Sequence, residues 1–257
     1  MTQTVQPPDP SVSRAVTVLV PVHDEQDNVE PLLEEIARVM RPLHEFEILV
    51  VDDGSRDATP DVLRRLMPVY PELRVLTHDR RCGKSAALRT GMRAASRDLV
   101  VTLDGDMQND PRDIPRMIEA FECAGGTDRC GIVAGQRRKR EDTWLRRFSS
   151  RIANGVRAGL LKDGTRDTGC GFKLLPRDVF LRLPFFEGLH RFLPALVRRE
   201  GLEVALVDVD HRPRHAGEAK YGVWNRVWVG IVDMLMVWWL IHRCRLPGRV
   251  TSTGRGS

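Results

Sequence analysis

Four short apolar runs, each ending in polar or charged residues, constrain this chain more than any other feature. They are "AVTVLVPV" (15–22), "FEILVVDD" (46–53), "LRVLTH" (73–78) and "DLVVTLDGD" (98–106). Continuous apolar runs of this length suit strands buried on both faces. Helix-like segments lie between them. "DNVEPLLEEIARVM" places Val29, Leu32, Leu33, Ile36 and Val39/Met40 on one face. "TPDVLRRLMPVY" opens with a Thr cap and a first-turn Pro. "GKSAALRTGMRAAS" is rich in small helix formers. The alternation predicts a doubly wound α/β fold with a mostly parallel central sheet flanked by helices. Ligands of such sheets bind beyond the carboxyl ends of the strands. Here those ends read "PVHDE", "VDDGS", "THDRRCGK" and "LDGDMQ".

The last of these ends raises a physical question. Asp104, Asp106, Asp110 and Asp113 crowd together directly after a core strand. Their mutual repulsion is costly unless they are solvated or hold a cation. Asp104 and Asp106, with Gln108 two residues on, offer hard oxygen ligands suited to Mg²⁺ or Mn²⁺. Asp and Gly are also ordinary turn formers, so a plain turn is the competing reading. The "VDDGS" end on the same side of the sheet favours the metal.

Other site classes fall away. "RCGKSAAL" resembles a phosphate loop, but His78 stands where that loop needs its first Gly. Gly83-Lys84 at a helix start could attract an anion or form an ordinary loop. No GxGxxG is present. Cys82, Cys123, Cys130, Cys170 and Cys244 form no CxxC pair, and their odd number argues against a disulfide framework. A zinc site is therefore not expected, and a reducing cytosol fits.

A net charge of +5 favours an anionic partner: nucleic acid, phospholipid or a phosphorylated metabolite. Much of the positive charge falls in residues 137–157, where Trp144, Phe148 and Ile152 recur at helical spacing between arginines. That pattern suits a solvated helix face or an anionic membrane surface. No nucleic-acid motif accompanies it, so no nucleic-acid partner is expected. "GIVAGQRR" and "EVALVDVDHRPR" read as later strands, and "AGEAKYG" as a loop. The first residues lack the apolar core of a signal peptide and read as a flexible arm. The apolar run over residues 227–241 is interrupted by Asp233 and too short to span a bilayer. Trp224, Trp228, Trp238 and Trp239 lie towards its ends, as in a helix lying in the interface. Asp233 should then face protein or water.

Taken in order, "VTVLVPVHDEQDN", "ILVVDDGSRDAT", "CGKSAALRTGM", "LVVTLDGDMQNDP", "VAGQR", "WLRRFSSRIAN", "DTGCGFK" and "RHAGEAKYG" resemble family 2 glycosyltransferases of the GT-A fold. Within that family they are most similar to polyprenyl-phosphate transferases of the dolichol-phosphate mannose synthase type. The resemblance covers residues 14–222 and implies a GT-A domain there; outside it the chain reads as a flexible arm over 1–13, an apolar membrane-associated segment over 223–245 and a flexible tail over 246–257. It implies that Pro21, His23 and Glu25 contact the nucleotide, with His23 and Asp24 replacing the usual Tyr and Asn. Asp53, with Asp52 beside it, matches the carboxylate that fixes the nucleoside. Asp104, Gly105, Asp106 and Gln108 match the metal and donor site. Arg137 matches an arginine facing the diphosphate. Arg146 and Ser150 match the acceptor-phosphate pair. Arg214 and Lys220 match a loop that closes on the diphosphate, with Ala219 replacing its Ser.

The expected activity is metal-dependent, inverting transfer of a hexose-type sugar from a GDP- or UDP-linked donor to a polyprenyl phosphate. The expected place is the cytoplasmic face of a membrane, peripheral or shallowly inserted. The catalytic set on this reading is Asp104, Asp106, Arg137 and Lys220. Two alternatives stand beside it: transfer to a hydroxyl with Asp167 as base, and a non-catalytic nucleotide-sugar-binding protein.

Overall fold

The computed structural model describes residues 14–43, 45–137, 161, 164–165, 167–213 and 223–243, with side chains from 230 onward in the last segment. The four runs form parallel strands: β1 (Val16–Val22), β2 (Phe46–Asp52), β3 (Leu73–Thr77) and β4 (Leu99–Thr102). The expected helices between them are α1 (Val29–Met40), α2 (Thr59–Leu66) and α3 (Lys84–Ala94). They are followed by α4 (Ile114–Cys123), the short α5 (Gly126–Arg129) and β5 (Cys130–Arg137). Then come β6 (Lys173–Pro176), α6 (Arg177–Arg182), α7 (Leu193–Arg199), β7 (Glu203–Val209) and α8 (Val223–Arg243).

The seven strands run in the order β3-β2-β1-β4-β6-β5-β7. Only β6 is antiparallel to its neighbours, β4 and β5. This four-residue strand has no counterpart in the sequence reading, because a run so short shows no period. Its partners define it: every one of its residues is buried.

Alternate strand residues supply two cores, as the period-two geometry requires. Val16, Val18, Val20, Ile48 and Val50 pack with α1, α2 and α4. Leu19, Leu49 and Val51 pack with α3, α6 and α7, and Val237 of α8 joins that cluster. The face expected of α1 is the buried one: Val29, Leu32, Leu33, Ile36 and Met40.

The strand order reverses between β1 and β4, which opens a crevice at their carboxyl ends. β4 stops pairing where Leu19 faces Thr102, while β1 continues beside β2 as far as Val22. Pro21 sits in that overhang. Its missing N–H costs no β4 ladder bond there.

At the opposite end of the sheet, Glu47 is buried within β2. It accepts from Thr17 Oγ1 (2.8 Å), from Ser96 N (2.9 Å) and Oγ (2.8 Å), and pairs with Arg74. Burial alone would raise its pKa. The bonds from Ser96, Thr17 and Arg74 outweigh that and hold it below the ordinary glutamate value. The stabilisation is therefore present above the ordinary glutamate range and fades as pH falls below it. Glu47→Gln should lower unfolding free energy by roughly 1–3 kcal/mol at neutral pH. Urea titrations should show the gap from wild type shrinking in acid; a gap independent of pH would contradict the assignment.

Candidate active site

The first two strand ends are tied together by side chains. Asp24, in the left-handed region at φ 53, donates its N–H to Ser55 Oγ (2.9 Å), and its Oδ1 accepts from Arg56 N (2.8 Å). Glu25 N donates to Thr59 Oγ1 (2.9 Å), and Glu25 Oε2 accepts from Asn28 Nδ2 (2.6 Å). His23 donates through Nδ1 to the Asp53 carbonyl (2.9 Å). The "PVHDE" and "DDGS" loops thus form one wall.

The two neighbouring aspartates of that wall differ sharply. Asp53 Oδ1 accepts from Cys82 N (2.8 Å) and His78 Nδ1 (2.8 Å), and Oδ2 accepts from Gly83 N (2.7 Å). This carboxylate, expected to fix a nucleoside, is engaged by three donors of its own chain. Asp52 accepts from Ser55 N through Oδ1 (3.0 Å), while its fully buried Oδ2 has no partner among the described residues. Asp53, His78 and Cys82 also bring an oxygen, a nitrogen and a sulfur within 4.8 Å of one another. Both ring nitrogens of His78 are already bonded, Nε2 to Thr90 Oγ1 (2.9 Å), so the trio is a hydrogen-bonded lock. Gly54 completes the closure. Its φ is +67, and a Cβ would lie 2.5 Å from the Arg80 carbonyl carbon.

The lock sets the start of α3 and so places Lys84, which ion-pairs with Asp104 at the end of β4. Burial would raise the Asp104 carboxyl, but Lys84, with Lys173 and His190, holds it below its ordinary value. Gly171 is required here: a Cβ would fall 2.3 Å from Asp104 Oδ1. Gly105 likewise leaves room for Val22, whose Cγ1 a Cβ would meet at 2.8 Å. Asp106 is buried and its Oδ1 accepts from Gln108 N (3.3 Å). Met107 between them sits at φ 62, an uncommon conformation that turns the loop back on itself.

Two further strand ends complete the crevice. Arg137, closing β5, makes a two-pronged pair with Asp167, with Nη2 to Oδ1 at 2.8 Å. Asp167 Oδ1 also accepts from Gly169 N (3.2 Å). The hydrogen bonds and charge of Asp167 raise the Arg137 pKa further. Lys173, at the start of β6, is buried and donates to the Cys170 carbonyl. Burial lowers its pKa to about 8.

The chain returns to the Asp104 loop after β7. Arg212 N donates to the Gln108 carbonyl (2.9 Å), and Asn109 bridges His211. The Arg212 guanidinium pairs with Asp110 (2.8 Å) and Glu35 (2.8 Å). Arg214 and Lys220, which follow directly, lie outside the described residues, as do Arg146, Ser150 and Ala219.

The oxygen donors suit a hard divalent cation. Asp104 and Asp106 lie on one tight loop, a glycine at 171 lets the first carboxylate pack close against the backbone, and the Lys84 ammonium holds a cation's place beside it. Sequence reasoning placed Asp104, Asp106, Gln108 and Arg137 in one crevice. It missed Lys173, Ser85 and His190, and left Lys84 between anion site and loop. The glycines of "DTGCGFK" were the one available signal for a close approach.

The model of glycosyl transferase family 2 matches residues 17–183, a stretch that holds the crevice loops up to Lys173. The chain belongs to glycosyl transferase family 2. Among curated proteins, this family 2 chain is 32% identical to the dodecaprenyl-phosphate galacturonate synthase of Rhizobium johnstonii, over 93% of this chain and 71% of that protein. It is 34% identical to the undecaprenyl-phosphate 4-deoxy-4-formamido-L-arabinose transferase of Edwardsiella ictaluri, over 81% and 63%. The chain thus spans about two thirds of the length of these relatives. Solved structures share the GT-A fold. Glucosyl-3-phosphoglycerate synthase of Mycobacterium tuberculosis, solved with Mn²⁺ and UDP, superposes with TM-score 0.66 at 20% identity, covering 93% of this chain and 83% of that one. A Pyrobaculum calidifontis mannosyltransferase, solved with GDP-Man and Mn²⁺, gives 0.65 at 24% identity, over 93% and 68%.

Asp110 tests how the Asp104 loop is held. It is 3% exposed, and although burial opposes it, Arg112 and Arg212 draw its pKa down to about 2. A depressed carboxyl stabilises the fold above its unfolded value near 3.9, and the contribution is lost as pH falls towards 2. Arg212→Ala should cost about 1–2 kcal/mol at pH 7, screening included, and much less near pH 2. Chemical denaturation at the two pH values measures both; equal losses would contradict the pairing.

Proposed function

We propose that this chain transfers a sugar from a nucleotide sugar to a polyprenyl phosphate. The observation that carries the reading is the meeting of Asp104 with Lys84 at the β4 end, within the electrostatic reach of Arg137. The similarity to a dodecaprenyl-phosphate galacturonate synthase and an undecaprenyl-phosphate 4-deoxy-4-formamido-L-arabinose transferase supports the acceptor class.

Asp104, Asp106 and Gln108 would hold Mg²⁺ or Mn²⁺, which supplies charge neutralisation at the departing nucleotide diphosphate. Lys84 leaves Asp104 for the diphosphate when the donor binds, and Arg137 faces the same charge. Arg214 and Lys220 are assigned to the diphosphate on the family resemblance. On the nucleoside side, Pro21, His23 and Glu25 line the wall, and Asp53, with Asp52 beside it, is assigned to the nucleoside at the β2 end. The donor nucleotide is GDP- or UDP-linked. A hexose-type sugar is the finer reading, and the relatives' galacturonate and 4-deoxy-4-formamido-L-arabinose widen the panel to test.

A lipid phosphate is already anionic at neutral pH, so it attacks the anomeric carbon without a strong base, with inversion. Asp167 fits this reading, since both its oxygens are engaged by Arg137. As the base of a hydroxyl acceptor it would first have to give up that pair. Arg146 and Ser150 are assigned to the acceptor phosphate.

The acceptor brings the enzyme to the cytoplasmic membrane face. No helix among the described residues is long and apolar enough to cross a bilayer. Instead α8 buries Val237 on the core and exposes Ile231, Val232, Leu235, Trp238 and Trp239 along one stripe. Arg243 lies over the Trp239 ring. A helix with this division lies in the interface of an anionic membrane. Asp233 turns from the stripe towards Gly188, as expected of a carboxylate that avoids lipid.

Two outcomes follow. Asp104→Asn should abolish transfer and weaken Mn²⁺-dependent nucleotide binding by at least tenfold while retaining the fold. Calorimetry with GDP or UDP and Mn²⁺, beside lipid mass spectrometry of reactions with nucleotide-linked hexoses, a uronic acid and a formamido-arabinose, reads this out. Full activity in the variant would refute the metal site. Leu235→Glu combined with Trp239→Glu should prevent flotation with anionic vesicles; undiminished flotation would remove α8 from the membrane.

A further inference from the structure

The turn at residues 188–191 touches two helices at once. Gly188 donates its N–H to Ser85 Oγ (3.1 Å), in the first turn of α3, and the His190 ring meets the same oxygen through Nδ1 (2.9 Å). On the other side Gly188, at φ +88, packs against α8: a Cβ there would lie 2.8 Å from Asp233 Oδ2. The charges acting on the His190 ring are Lys84, Lys173, Arg191 and Asp104. Ser85 directly follows Lys84, whose ammonium pairs with Asp104, so the turn joins α8 to the edge of the Asp104 crevice.

Hydrogen bookkeeping sets the tautomer of His190. Ser85 is 2% exposed, and its hydroxyl has two partners, Gly188 N–H and the His190 ring. Gly188 can only donate. If His190 also donated through Nδ1, the Ser85 hydroxyl hydrogen would be buried without an acceptor. The arrangement that satisfies every group has Ser85 O–H donating to Nδ1. The proton of the neutral ring is then on Nε2, which makes no hydrogen bond among the described residues. Burial, with Lys84, Lys173 and Arg191, pushes the His190 pKa well below the ordinary imidazole value, so the ring stays neutral. Such a ring cannot serve as a base, because Nδ1 is occupied and Nε2 already carries its proton. It can only donate, in a place where the neighbouring side chains favour an anion.

We propose that the Nε2–H of His190, aimed by Ser85, is a hydrogen-bond donor to the phosphate of the acceptor lipid. The assignment rests on the polyprenyl-phosphate reading above. A donor diphosphate offers the same oxygens, but the contact of the turn with α8 puts His190 on the side from which a membrane-borne phosphate arrives. A neutral donor suits this site, since Lys84 and Lys173 already crowd it with positive charge. His190 thus orients the attacking phosphate and takes no proton from it.

The test uses the full chain with anionic vesicles carrying polyprenyl phosphate. His190→Phe should raise the KM for the lipid phosphate about ten- to a hundredfold, as expected for losing a hydrogen bond to a charged group. The donor KM and Mn²⁺-dependent nucleotide binding should stay near wild type. His190→Gln, which keeps an N–H donor, should recover most of the loss. Equal impairment of Phe and Gln variants, or an unchanged lipid KM, overturns the proposal; a raised donor KM alone moves the bond to the diphosphate and overturns it as well. A phosphorus NMR titration with a short-chain prenyl phosphate gives a readout independent of turnover. If wild type transfers no sugar, the proposed function fails, and weaker prenyl phosphate binding by His190→Phe still decides for His190. Equal or absent binding in both proteins decides against it.

Discussion

The Asp53 carboxylate accepts from Cys82 N, Gly83 N and His78 Nδ1, and the geometry of the crevice descends from those three bonds. A carboxylate buried at a strand end is costly unless its oxygens are satisfied. Satisfying them draws the 78–83 loop under β2 and begins α3 at Lys84. Lys84 then reaches Asp104, and Ser85, one residue later, reaches Gly188 and His190. One buried anion thereby sets the relative positions of both sides of the crevice.

The crevice then holds charge in pairs. Lys84 with Asp104, Arg137 with Asp167, and Arg212 with Asp110 and Glu35 each bring opposite charges together where solvent is limited. Pairing of this kind adds little stability, because desolvation offsets much of the Coulombic gain. Its effect is to fix where these side chains sit around the crevice. Lys173 departs from the pattern: among the described residues its ammonium is bound by a backbone carbonyl alone, and its pKa falls to about 8. It supports the Cys170–Gly171 turn against which the Asp104 carboxylate lies.

Much of this was legible in the sequence and some was not, for separable reasons. The parallel strands and α1 were readable because continuous apolar runs and a 3.6-residue apolar stripe each have one stable packing, and α2 and α3 from a first-turn Pro and from small helix formers. The strand-end carboxylates were readable because short charged motifs after such runs have few structural uses. β6 was not readable, since four buried residues carry no period. The different states of Asp52 and Asp53 were not readable either: adjacent residues of one type differ only in which donors the fold brings to them.

The sequence by itself determined an α/β chain with carboxylates at its strand ends, a basic surplus and a late amphipathic helix. Local pattern suffices for these, because they depend on spacing along the chain. Only the tertiary structure decided that Asp53 accepts from the 78–83 loop, that Lys84 belongs to Asp104, that Asp167 is bound by Arg137, and that His190 meets Ser85 at the start of α3. Those pairings span from 20 to 105 residues of sequence separation. Only the packing of helices on both faces of a sheet with β6 inserted brings such distant residues together.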